Sequence, residues 1–152
     1  MTELRQEVIA GSVFAYWADQ FPLEVSTVYP GTALETSALD EWLEIWIDAW
    51  SLRPQRHADA VLLDLSLTVH CFVKPGLDKG RAHELADAAR GTLSRTTIEL
   101  RDHEQSGLPL VGYALVFEPE TRALTRNHAG ELQSGLQHLV VSWRGIAQGV
   151  AS

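Results

Sequence analysis

The sequence predicts an α+β fold: one domain, with a mainly antiparallel or mixed sheet and two helices packed on one of its faces. Three observations carry this. Apolar residues recur at helical spacing near the N-terminus and again around residue 85. The runs between and after these helices alternate at strand spacing, and Pro- and Gly-bearing turns separate the runs. A chain of 152 residues accommodates one ordinary domain, spanning 1–152. At 45% hydrophobic and 21% charged it has the composition of a globular protein. A compact chain of this length buries roughly 70% of its unfolded surface and needs no disulfide or metal staple.

The first helix is expected over residues 3–20, where Leu4, Val8, Ile9, Val13, Tyr16 and Trp17 make an apolar stripe and Glu3, Gln6, Glu7 and Asp19 a polar face. Pro22 disfavours helical geometry at Phe21 and sets the stop. Residues 25–29 read as a short strand. Tyr29-Pro30-Gly31 reads as a type II turn, and 32–37 as loop. Residues 41–50 read as a strand with Leu43, Ile45, Ile47 and Ala49 on one face and Trp42, Glu44, Trp46, Asp48 and Trp50 on the other. Residues 51–60 connect it to a second strand, 61–74, in a long antiparallel hairpin. That strand alternates most clearly: Leu63, Leu65, Leu67, Val69, Cys71 and Val73 against Asp64, Ser66, Thr68, His70 and Lys74. After Pro75-Gly76 a helix is expected over 79–95 with Asp78 as N-cap and a small stripe of Ala82, Leu85, Ala86, Ala89 and Leu93. Strands at 97–101, 111–117 and 136–146 complete the order, with a Gly-Pro loop at 106–109 and a long polar connection at 118–135.

The chain has 20 acidic and 12 basic residues, a formal charge of -8, and only two lysines, Lys74 and Lys79. That balance opposes a general phosphate-binding surface, which depends on clustered cations. The single cysteine, Cys71, can form no intramolecular disulfide, and its place on the apolar face marks a buried, inert thiol. No window approaches the ~20 apolar residues of a membrane span. The acidic N-terminus lacks the order of a signal peptide, so a reducing cytoplasm is the expected site of assembly.

No phosphate-binding loop, dinucleotide fingerprint, nucleophile elbow or zincin motif occurs, so the expectation is a non-enzyme without catalytic residues, cofactor or metal. Six histidines, His57, His70, His83, His103, His128 and His138, are scattered singly. His70 and His138 lie in strands that can meet across the sheet, whereas Cys71 points to the opposite face from His70. Asp102-His103-Glu104 in a loop, and His57 with Asp59, read as solvated turns before they read as catalytic groups. The Trp42, Trp46 and Trp50 row has two readings of equal weight: indoles covered by a helix, or a contact with another subunit.

Several segments together resemble the tail terminator proteins of long-tailed bacteriophages, the lambda-type family. They are the N-terminal helix ending before Phe21-Pro22, the hairpin around Trp42-Leu43-Glu44-Ile45-Trp46-Ile47, and the strand Leu67-Thr68-Val69-His70-Cys71-Phe72-Val73-Lys74. Gly80-Arg81, the helix Glu84-Leu85-Ala86-Asp87-Ala88-Ala89-Arg90, Glu120-Thr121-Arg122 and the closing Leu139-Val140-Val141-Ser142-Trp143 complete the likeness. The resemblance covers most of the chain as an order of elements and has no sharp motif.

The resemblance implies a virion protein that forms a hexameric ring on the end of the tail tube. There it stops tube polymerisation and offers a surface for head-tail joining. Its partners would be copies of itself, the tail tube protein and a head-completion or neck protein. DNA would pass through the channel without being specifically bound, and no membrane would be involved. Under this reading Trp42, Trp46 and Trp50 are candidates for the subunit interface, and Arg53, Arg56, Arg122 and Arg126 for a loop facing the tube, the neck or the channel. The alternatives are another neck or tail-completion protein, or a small α+β ligand-binding domain using the face near His70 and His138.

Overall fold

The computed structural model describes residues 4–52, 62–76, 80–124 and 135–149. Helix α1 spans Gln6–Gln20 and buries Val8, Ile9, Val13 and Trp17 at the expected spacing. It stops where Pro22 requires: Phe21 is extended at φ −64° and ψ 122°, and its N–H donates to the Trp17 carbonyl at 2.9 Å. Strand β1, Thr27–Val28, is shorter than expected and runs parallel to the next strand. The turn that follows closes through Thr32 N–H to the Tyr29 carbonyl at 3.1 Å, with Gly31 at φ +84°. That positive φ is the one a type II turn demands.

Strands β2, Glu41–Leu52, and β3, Leu62–Val73, pair antiparallel as the alternation predicts. Helix α2, Arg81–Leu93, buries Ala82, Leu85, Ala86, Ala89 and Leu93, the stripe read from the sequence. Its N-cap is Gly80, without a side-chain hydrogen bond; the expected cap, Asp78, lies outside the described residues. Strands β4, Thr96–Arg101, β5, Leu110–Ala123, and β6, Gln137–Gly149, complete a six-stranded sheet of order β1-β2-β3-β6-β5-β4.

The α+β expectation does not survive this architecture. Strand makes up 47% of the described residues and helix 23%, and the mixed sheet is curled into a half-barrel carrying two helices. The fold is sheet-dominated. The main reason is that β5 and β6 run further than their apolar patterns suggest. Residues 118–123 were expected to begin a loop, but they extend β5 although nearly all are exposed. Their pairing with β6, from Pro119↔Trp143 to Ala123↔Leu139, supplies backbone hydrogen bonds that hydrophobic alternation cannot report.

The strands meet closely. A Cβ on Gly112 would lie 2.2 Å from the Gln148 carbonyl oxygen, and one on Gly145 would lie 2.9 Å from that of Leu115. Both neighbours are backbone atoms that cannot rotate away, so β5 packs on β6 only through glycine here.

Both helices share one core with the inward residues of β2 to β6. Helix α1 lies against β4, and α2 against β6 and β3. Polar side chains within this layer are paired. Ser12 Oγ accepts from Arg101 N–H at 3.0 Å, and Trp17 Nε1 donates to Thr27 Oγ1 and Trp143 Nε1 to Ser94 Oγ, each at 3.1 Å. Arg5 Nη2 donates to the buried Asp102 carboxylate at 3.1 Å, tying α1 to the turn after β4. The Arg81 guanidinium grips Glu41 through two bonds of 2.8 and 2.9 Å, fastening the start of α2 to the start of β2. This pairing holds the Glu41 carboxyl below its ordinary range. Among the described residues no helix is long and apolar enough to cross a membrane.

Candidate interaction face

The helices cover one face of the sheet and leave the other to be read strand by strand. On β3 the open-face residues are Asp64, Ser66, Thr68, His70 and Phe72, the complement of the core residues Leu65, Leu67, Val69, Cys71 and Val73. Cross-strand pairs share a face, so the β6 members are His138, Val140, Ser142, Arg144 and Ile146.

On β2 the register first places Trp42, Glu44 and Trp46 beside Phe72, His70 and Thr68. A bulge then intervenes between Ile47 and Ala49. The extra residue, Asp48, moves every later side chain to the opposite face. Ala49 therefore stands beside Ser66 on the open face, and Trp50 pairs with Leu65 and packs against the core. The expected row of three indoles is thus two, Trp42 and Trp46, with Trp50 turned inward. A second irregularity, between Val116 and Pro119 on β5, switches faces in the same way. Before it, Tyr113 and Leu115 are on the open face with Gln148 and Ile146; after it, Glu120 and Arg122 stand beside Ser142 and Val140.

The face has two ends of different character. At one, four rings are layered: Trp42 on Phe72 with centroids 5.0 Å apart and planes at 16°, and Phe72 on His138 at 4.2 Å and 20°. His70 completes the cluster, its Nδ1 2.8 Å from His138 Nε2. The meeting of these two histidines follows from strand periodicity, although they are diagonal neighbours, with His70 directly opposite Glu44 and Val140. Burial lowers the His70 imidazole's proton affinity, with Glu44 and Asp48 opposing the shift. Trp42 and His138 are 8% and 7% exposed. The Trp42 Nε1–H is buried without a hydrogen-bond partner among the described residues. Lys74 Nζ lies 5.8 Å from the Trp42 ring centroid and donates to the carbonyls of Ser37 at 2.6 Å and Thr36 at 3.2 Å, anchoring the loop before β2.

The other end and the flanks are exposed and partly apolar. Trp46 is 37% exposed, Tyr113 36%, Leu115 41% and Phe117 44%. Between the ends, Ser66, Thr68, Ser142, Asp48 and Glu120 line a hollow of about 400 Å3. A second, of about 300 Å3, reaches Asp64, Phe117 and Ile146. Arg144 borders both hollows, and it forms no ion pair among the described residues. Thr68 donates its hydroxyl to Asp48, which seats the bulged carboxylate at the rim.

Of the arginines proposed for a loop, Arg122 is exposed on the open face of β5, in a strand and not in the loop expected there. Arg53, Arg56 and Arg126 lie outside the described residues, as do His57, Asp59 and His128. Asp102 accepts from Glu104 N–H and Gln105 Nε2 as well as from Arg5, so its oxygens serve the turn itself. Cys71 is fully buried in the core, where burial pushes its thiol up to about 12, beyond reach as a nucleophile. Among the described residues no group of three or more His, Cys, Asp or Glu is placed to hold a metal. Sequence reasoning missed Leu115, Phe117 and Arg144 as surface features. Their strands alternate as half-buried strands do, but nothing in that alternation says that both described helices pack on the other face.

No protein-family model matches the chain, and no curated protein matches it. Twelve chains of solved structures do. One has a TM-score of 0.63 over 99% of this chain and 100% of its own length at 14% sequence identity. At that identity the likeness is one of fold.

Proposed function

We propose that the chain is a structural protein of a long-tailed phage virion: a tail terminator that assembles as a hexameric ring on the tail tube, ends its growth and offers a surface for head-tail joining. The observation that carries the reading is the open sheet face. Trp46, Tyr113, Leu115 and Phe117 present apolar surface there, opposite the face that the helices cover. Tyr113, Leu115 and Phe117 follow one another along β5, and exposed apolar side chains grouped in this way support a surface that another protein covers. Identical subunits in a ring meet through unlike patches, and this face differs from the helix-bearing one in the way such a contact needs. The residue likeness set out above supplies the identity of the ring. The same likeness supplies its partners: copies of itself, the tail tube protein and a neck protein, with DNA passing unbound through the channel.

Co-sedimentation with polymerised tail tubes tests this. The chain is expected in the pellet at a ratio of six copies per tube end, and a Phe117→Ser, Leu115→Ser double variant that stays folded is expected to lose at least tenfold in that binding. A chain that remains in the supernatant at every concentration overturns the reading.

A second reading has its own observation, the contact between His70 and His138 on the sheet face that also carries a polar hollow. In a small ligand-binding protein, replacing both histidines by Ala abolishes ligand binding while leaving the fold intact. A terminator that assembles through Leu115 and Phe117 tolerates both changes.

A further inference from the structure

We propose that His70 and His138 act as a one-charge latch, holding the buried end of the open sheet face together at neutral pH and releasing it when a second proton enters. The geometry sets the limit. Nδ1 of His70 and Nε2 of His138 face one another at 2.8 Å, and a hydrogen bond between two ring nitrogens needs one N–H and one lone pair. The neutral pair meets this condition. So does the pair with one added proton, because the imidazolium then donates to its neutral partner. A second proton from solvent converts the remaining lone pair into an N–H, so two donors and two positive charges confront each other across a former hydrogen bond.

The surroundings sort the two steps. Glu44, opposite His70 on β2, and Asp48 further along β2 favour the first proton. Glu120 on β5 adds a third carboxylate on the same face, whereas Arg122 on β5 and Lys74 beyond Trp42 oppose further positive charge. The open-face residues of β6 next to His138 are Val140 and Ser142, which carry no charge. Burial opposes both steps.

His138 cannot move alone. His138 is stacked on Phe72, which is stacked on Trp42, and the His138 carbonyl accepts from Leu124 N–H at 2.8 Å, pinning the end of β5 to the start of β6. His138 is nearly fully buried, and half-buried His70 also flanks Phe72 with ring centroids 6.1 Å apart, so repulsion between the imidazoles acts on the start of β6 and on the ring stack. The Trp42 indole, buried and without a hydrogen bond at Nε1 among the described residues, is therefore the reporter. The inference goes beyond the proposed function and stands on the dyad whatever the chain assembles with.

NMR titration of the intact protein from pH 8 to pH 4.5 tests it, following the two imidazole Cε1–H signals and the Trp42 indole N–H. Assignments come from H70Q, H138Q and W42F. The expected result is two uptake steps more than about one pH unit apart, the second below the ordinary histidine range near ~6.5, with the indole signal moving at the second step. In H70Q a single step remains and the indole signal stays still. Coincident titration of both imidazoles near that ordinary value with an unmoved indole overturns the proposal, as does an indole shift that persists in H70Q. Should both His variants fail to fold, the wild-type curves decide: separate steps with the indole following the second support the latch, and coincident steps refute it.

Discussion

Glu41 and Cys71 give the residue scale its sharpest expectations. The Arg81 pairing depresses the Glu41 carboxyl in the fold, so its contribution is complete above the unfolded glutamate value near ~4.3 and is lost as pH falls through the lower folded value. Because both side chains are partly exposed, the pair is worth about 1 kcal/mol or less. Urea melts of wild type and Glu41→Gln should therefore differ by that amount at pH 7 and converge in strong acid. For Cys71 the expectation is kinetic: at pH 8 a thiol reagent labels the folded chain only as fast as the core opens, and labels the urea-unfolded chain at once. Rapid labelling of the folded chain would place Cys71 outside the core. The burial of Cys71 and the approach of His70 to His138 were readable from alternation alone. The Trp42 indole N–H, without a hydrogen-bond partner among the described residues, was not, because hydrogen-bond satisfaction depends on neighbours far away in sequence.

At the scale of elements, regular segments were legible and irregular ones were not. Helix α2 buries the five residues its period names, and β3 keeps one alternation throughout its length. Strand β2 looks equally regular in sequence, yet the bulge at Asp48 turns Trp50 inward, since a single residue left out of the ladder changes the face without changing the letters. The polar end of β5 was hidden for a related reason: strand pairing supports it, and side-chain burial does not. These ladders predict a specific weakness. Gly112→Ala forces a methyl group onto the Gln148 carbonyl oxygen and should destabilise the fold by about 1–3 kcal/mol, read as a fall in denaturation midpoint. Leu115→Ser and Phe117→Ser truncate strand side chains that are 41% and 44% exposed and should each cost only about 0.5–1 kcal/mol. A loss of stability from the exposed pair as large as from Gly112→Ala would mean that those side chains are covered within the single chain.

For the whole molecule, the proposed ring would have to bring together copies of a chain of charge -8. Like-charged subunits repel at long range, and the repulsion is screened beyond ~8 Å at physiological ionic strength. Association through the apolar part of the face should therefore strengthen with added salt, whereas association dominated by ion pairs would weaken. The most direct test of the terminator reading is the length of tail tubes grown from their subunits in the presence of this chain, measured by electron microscopy. Capping predicts tubes that shorten as the chain is added, each ending in a single ring. Tubes of unchanged length with bare ends, at concentrations where the chain is folded and in excess, would contradict it.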